Sequence, residues 1–125
     1  MLTLPVYEWV RPASLELLLA HLREHAAESL IVAGGTDAVP NLKHRLHEPR
    51  YVVHIAGVGS LRGVRDETDG LHVGPLTTLS ELAAHPAVRR DFPALARAAS
   101  LVASPQIRNM GTVGGNLCLD TRCTY

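Results

Sequence analysis

Five of the ten glycines in this chain sit in two places: Gly34 and Gly35 after a short apolar run, and Gly111, Gly114 and Gly115 towards the C-terminal end. Glycine reaches positive φ without strain and lets another group approach the main chain, so such clusters form concave nests of backbone N–H groups that attract anions. In Ile31-Val32-Ala33-Gly34-Gly35-Thr36-Asp37-Ala38 the turn leads into a helix start, where unpaired N–H donors and the helix dipole favour a phosphate and Thr36 adds a hydroxyl. Neither turn has the GxGxxG spacing of a dinucleotide fold or the Lys-Ser/Thr ending of a P-loop, which sets aside the common Rossmann and NTPase readings. A lone double glycine more often merely turns the chain. The second cluster gives the first a chemical meaning.

Other reactive residues offer less. Cys118 and Cys123 are close in sequence, and a disulfide between them would close too small a loop to staple a fold, so their use is chemical or incidental. His44 and His47 share helical spacing but lie among Lys43, Arg45 and Glu48 with no third ligand, which reads as a solvated face. His21 and His25 suit the C-terminal dipole of a helix and lack an HExxH context. No Ser-His-Asp or Cys-His set supports hydrolase chemistry. Arg108 has two readings, a phosphate clamp or a holder of neighbouring carbonyls where a helix meets a loop.

These residues need elements to position them. Ser14 caps an i, i+3, i+4, i+7 stripe of Leu15, Leu18, Leu19 and Leu22, which predicts a helix over 15–25. Residues 30–33 read as a buried strand closed by Gly34-Gly35, 38–46 as a short helix with Pro40 in its first turn, and 51–55 as a second strand. Segments 61–65 and 71–73 flank a polar loop over 66–70 and predict a hairpin. Thr78 with Glu81 is a capping box opening a helical region, punctuated by Pro86 and Pro93, through Val102. Ser104-Pro105 ends it, and 106–116 reads as turn-forming without a regular period. A change of style near residue 57 divides the chain into a lobe over 1–56 and the start of another over 57–125.

Bulk properties bound the function. At 125 residues and 46% apolar the chain can build one core. Twelve basic residues balance twelve acidic ones, so no global field draws it to nucleic acid or an anionic membrane. No apolar run approaches the roughly twenty residues of a membrane helix, and the N-terminus lacks a basic n-region, which predicts a cytoplasmic protein.

The second cluster, Ile107-Arg108-Asn109-Met110-Gly111-Thr112-Val113-Gly114-Gly115-Asn116, resembles the Arg-Asn-x-Gly-Thr-Val-Gly-Gly-Asn signature of the FAD-binding subunit of molybdenum hydroxylases, the family of xanthine dehydrogenase, aldehyde oxidase and aerobic carbon monoxide dehydrogenase. Arg-Pro-x-Ser-Leu over 11–15, the turn over 32–37 and Thr-Thr-Leu-Ser-Glu-Leu over 77–82 match in the same order. The resemblance implies a two-lobed α/β (α+β) FAD-binding fold of the PCMH type and an oxidoreductase subunit that transfers electrons without touching the organic substrate. It implies an FAD site made of Ile31, Val32, Ala33, Gly34, Gly35, Thr36, Asp37, Ala38, Val102, Thr112, Val113, Gly114, Gly115 and Asn116, with Thr36, Thr112 and Asn116 donating hydrogen bonds. Partner subunits would carry the molybdenum cofactor and a [2Fe-2S] cluster.

The tail, Asn116-Leu117-Cys118-Leu119-Asp120-Thr121-Arg122-Cys123-Thr124, is similar to the 4-hydroxybenzoyl-CoA reductase branch of that family, where an insertion carrying a [4Fe-4S] cluster begins. That match implies Cys123 as the first cluster ligand, with the other thiolates beyond Tyr125, and Cys118 as a packed thiol. It also implies a ferredoxin-like electron donor or acceptor, reductive removal of a ring hydroxyl on the molybdenum subunit, and a chain holding only the first part of the FAD subunit; the alternatives are the FAD subunit of another molybdenum hydroxylase (xanthine dehydrogenase, aldehyde oxidase or carbon monoxide dehydrogenase type) and a truncated non-catalytic fragment whose glycine turns only shape loops.

Overall fold

The computed structural model describes residues 3–121. Helix α1, Leu15–His25, begins where the Ser14 hydroxyl accepts the Leu17 N–H at 3.3 Å, as the leucine stripe predicts. It connects strand β1, Glu8–Val10, to β2, Ser29–Val32. Helix α2, Ala38–Lys43, then leads to β3, Tyr51–His54. The three strands form a parallel sheet in the order β1-β3-β2, so β3 is central and buried on both faces. Val53 packs with Leu18 and Tyr51 on the α1 side, and Val52 with Val32 and Leu42 on the α2 side. This two-sided burial explains the unbroken apolar run Tyr51-Val52-Val53.

Two details depart from expectation here. Helix α2 stops before residue 46 because Arg45 takes a positive φ of 54° and the Leu46 N–H turns back to the Asn41 carbonyl at 3.0 Å. Strand β1 is absent from the sequence reading, since three half-exposed edge residues leave no alternating pattern to read.

Beyond it, β4, Val64–Glu67, and β5, Gly70–Val73, form the expected hairpin. The turn is only Thr68-Asp69, and Asp66 and Glu67 belong to the strand, not to a loop. Asp66 is held there by Arg90 at 2.9 Å. The apolar side of the hairpin, Val64, Leu71 and Val73, covers a core of Leu82, Val88, Ala96 and Ala99. Those residues come from α3, Leu79–Ala84, α4, Pro86–Asp91, and α5, Pro93–Leu101, each of the last two beginning at its proline.

The segment expected to be irregular contains two further helices, α6, Pro105–Met110, and α7, Val113–Leu117. Each is one short stretch started by a hydroxyl cap: Ser104 accepts the Ile107 N–H at 3.4 Å and Thr112 accepts the Gly115 N–H at 3.2 Å. Such brief helices are too short to print a period, so the glycines dominate the sequence signal. No helix among the described residues is long and apolar enough to cross a membrane.

Candidate functional site

The parallel sheet delivers Val32 to the turn, where Gly35 takes a φ of 71° and the chain swings into α2. The N–H groups of Gly34, Gly35 and Thr36 donate to no protein acceptor among the described residues. They are an open set of donors at a helix start, the geometry that holds a phosphate.

The second turn reaches the first through the hairpin-and-helix half. Residues 110–114 run beside 75–79: the Leu79 N–H donates to the Gly111 carbonyl at 3.0 Å, the Val113 N–H to Thr77 at 2.8 Å, and the Gly114 N–H to Pro75 at 2.9 Å. This brings the Met110 carbonyl against Gly34. A Cβ added at Gly34 would overlap that carbonyl oxygen and stand 2.6 Å from its carbon. The glycine is required by close approach of backbone to backbone.

Where the turns meet, a cleft of about 690 Å³ opens. All of Ile31, Val32, Ala33, Gly34, Gly35, Thr36, Asp37 and Ala38 line it, together with Val102, Thr112, Gly115 and Asn116. Val113 and Gly114 do not. Val113 packs on the Leu82 core, and a Cβ at Gly114 would meet Pro75 Cβ at 2.6 Å, so this glycine serves internal packing. In the second turn most donors are taken: the N–H groups of Val113 and Gly114 go to Thr77 and Pro75, and those of Gly115 and Asn116 to the side chain and carbonyl of Thr112, at 3.2 and 2.9 Å. Three consecutive open N–H groups therefore lie on the first turn, and the second is braced against residues 75–79.

Polar side chains complete the cleft. Asn41, buried one helical turn after Asp37, donates to its carboxylate at 2.6 Å and fixes it. Thr112 is buried with its hydroxyl capping α7. Arg108 takes the second of its two readings, donating to the Val102 carbonyl at 2.8 Å and the Ala103 carbonyl at 3.1 Å. The capping box beneath the second turn is formed as expected: the Thr78 N–H donates to Glu81 at 2.8 Å and the Glu81 N–H to the Thr78 hydroxyl at 3.2 Å. Burial pushes the Glu81 carboxyl up, but hydrogen bonds from Thr78 and Arg62 outweigh it and hold the group below its ordinary range.

Several lining residues escaped the sequence reading, among them Ala103, Ile107, Leu79 and His47. Ile107 and Leu79 stand in recognised motifs without having been assigned to the site, Ala103 follows a recognised position, and nothing in the sequence marks His47. Cys118 is exposed on the cleft, not a packed thiol, because α7 ends beside it. Cys123 lies outside the described residues. The His21 and His25 rings pack on Tyr51 at 5.0 and 4.8 Å, a structural role. Among the described residues, the side chains close enough to share a metal ion are Glu67, Asp69 and His72, all exposed at the hairpin tip and remote in sequence from the glycine turns.

The size and lining of the cleft fit a dinucleotide-sized ligand with an anionic centre, since ligand pockets are typically ~300–1,000 Å³ and mostly apolar with a few placed polar groups. Residues 5–123 match a family described as FAD binding domain in molybdopterin dehydrogenase. The carbon monoxide dehydrogenase medium chain of Hydrogenophaga pseudoflava is 34% identical over 113 residues, covering 90% of this chain and 39% of that protein. The nicotinate dehydrogenase FAD-subunit of Eubacterium barkeri is 39% identical over 112 residues, covering 89% and 38%. The solved carbon monoxide dehydrogenase of Hydrogenophaga pseudoflava superposes with a TM-score of 0.88 at 34% identity, over 92% of this chain and 40% of that one. The chain thus spans about two fifths of the length of the relatives it matches.

Proposed function

Because this chain belongs to the family of FAD binding domains in molybdopterin dehydrogenases, we propose that the cleft holds FAD by its diphosphate, on the open N–H groups of Gly34, Gly35 and Thr36. The observation that carries the reading is the meeting of two glycine turns in one cleft, with three consecutive N–H donors left open on the first among the described residues. Thr36, Thr112 and Asn116 provide hydrogen-bonding groups around the same space, and Val102 provides apolar contact. When bound, FAD supplies one- and two-electron transfer. The protein's part is to hold the diphosphate on backbone N–H groups, to orient the cofactor against the second turn and to limit water on the apolar side.

The whole protein is, on this reading, the flavin subunit of a molybdenum-containing oxidoreductase. It works beside a subunit with the molybdenum cofactor and one with a [2Fe-2S] cluster, and leaves the organic substrate to the former. A finer assignment rests on the tail alone: Leu117-Cys118-Leu119-Asp120-Thr121-Arg122-Cys123-Thr124 supports the 4-hydroxybenzoyl-CoA reductase type, with Cys123 the first ligand of a [4Fe-4S] cluster and a ferredoxin-like donor. The relatives named above, a carbon monoxide dehydrogenase medium chain and a nicotinate dehydrogenase FAD-subunit, support instead another member of the molybdenum hydroxylase family.

One preparation of the complete gene product tests both levels. FAD is expected to bind far more tightly than riboflavin, which lacks the diphosphate; equal affinity for the two would remove the diphosphate site. Iron and acid-labile sulfide present in the wild type and lost in Cys123→Ser support the reductase type, and a flavin spectrum without iron selects the others.

A further inference from the structure

The cleft wall carries an unusual backbone. Ala103 takes a φ of 44°, the left-handed region that a residue with a Cβ rarely occupies, at the single turn between the end of α5 and the Ser104 cap of α6. Ala103 and Val102 both line the cleft, so the shape of this turn is the shape of the wall. Arg108 bridges it: one terminal nitrogen donates to the carbonyls of both residues, at 2.8 and 3.1 Å. Those carbonyls stand at the C-terminal end of α5, where the dipole favours a cation. The same side chain is rooted in α6, whose Met110 carbonyl abuts Gly34.

We propose that Arg108 is a positioning residue for the bound cofactor: it holds the left-handed Val102-Ala103 turn in register with the Gly34-Gly35 turn and places no charge on the diphosphate. The inference rests on the FAD reading above. A charge-charge clamp and a carbonyl brace differ in their response to salt, because only the former is screened.

The test is FAD titration of the complete gene product over a range of ionic strength, with the visible flavin spectrum recorded at saturation. Arg108→Ala is expected to weaken FAD on the order of tenfold, the scale of one or two charge-assisted hydrogen bonds, to shift the flavin bands, and to keep the wild-type salt dependence. Arg108→Lys recovers part of the affinity. Adding Ala103→Gly to Arg108→Ala also recovers part, since glycine holds the left-handed turn without a brace. A flattened salt dependence in Arg108→Ala makes the residue a phosphate clamp and overturns the proposal, as do unchanged affinity and spectrum. Should Arg108→Ala not fold, Arg108→Lys and its combination with Ala103→Gly give the same comparison. Failure of the unsubstituted protein to bind FAD strikes the cofactor assignment instead.

Discussion

Single residues do most of their work here by meeting main-chain groups. Thr78 and Glu81 start α3, and Glu81 also takes Arg62 at 2.7 Å, so one carboxylate ties the helix start to the approach of the hairpin. Thr78→Ala is expected to cost about 1 kcal/mol in chemical denaturation, the usual loss of a hydroxyl cap. Because the folded-state pKa of Glu81 is depressed from 4.5, its contribution is present above that value and is lost as pH falls through the lower folded value. The stability difference between wild type and Glu81→Gln should therefore shrink as pH falls below 4.5 through the lower folded value; a difference independent of pH would show that the charge contributes nothing. The Thr-x-x-Glu spacing made this cap legible in advance. The role of Arg108 was not, because its two carbonyl acceptors become neighbours only when α5 and α6 meet.

Elements formed where their signal was local. The Ser14 cap and the leucine stripe produced α1 with its expected bounds, and Pro86 and Pro93 mark the starts of α4 and α5. Short elements escaped when their reason lay elsewhere. Strand β1 exists because β3 offers it a parallel partner, with Trp9 opposite Val52, and α7 exists because Pro75 and Thr77 accept its first N–H groups. The hairpin likewise depends on what lies beneath it. Leu82, 3% exposed, sits in the core that Val64, Leu71 and Val73 cover. Leu82→Ala should destabilise the protein by ~2–5 kcal/mol and speed amide exchange in the hairpin more than in the parallel sheet. Equal acceleration in both would mean that one cooperative unit spans them.

The whole molecule turns on the contact between Gly34 and Met110, where the parallel-sheet half meets the half built on the hairpin and helices. Gly34→Ala is expected to cost ~3 kcal/mol or more, because the obstructing atoms are main chain and cannot rotate away. Its flavin content on purification should fall with the melting temperature; a stable variant that keeps its flavin would show that the two turns can part without harm to the site. Gly114→Ala should destabilise through Pro75 without altering the cleft lining directly, so loss of stability and loss of cofactor need not travel together.

By itself the sequence determined the local events: where helices are capped, where glycine must turn the chain, and, through the order of its motifs, the family. These follow from residue types a few positions apart. The tertiary structure decided which donors remain open. The glycine-rich turns look alike in sequence, yet among the described residues the N–H groups of Gly34, Gly35 and Thr36 meet no protein acceptor, whereas Val113 and Gly114 give theirs to Thr77 and Pro75. An amide is available to a ligand only if no carbonyl reaches it first, and those carbonyls arrive from segments distant along the chain.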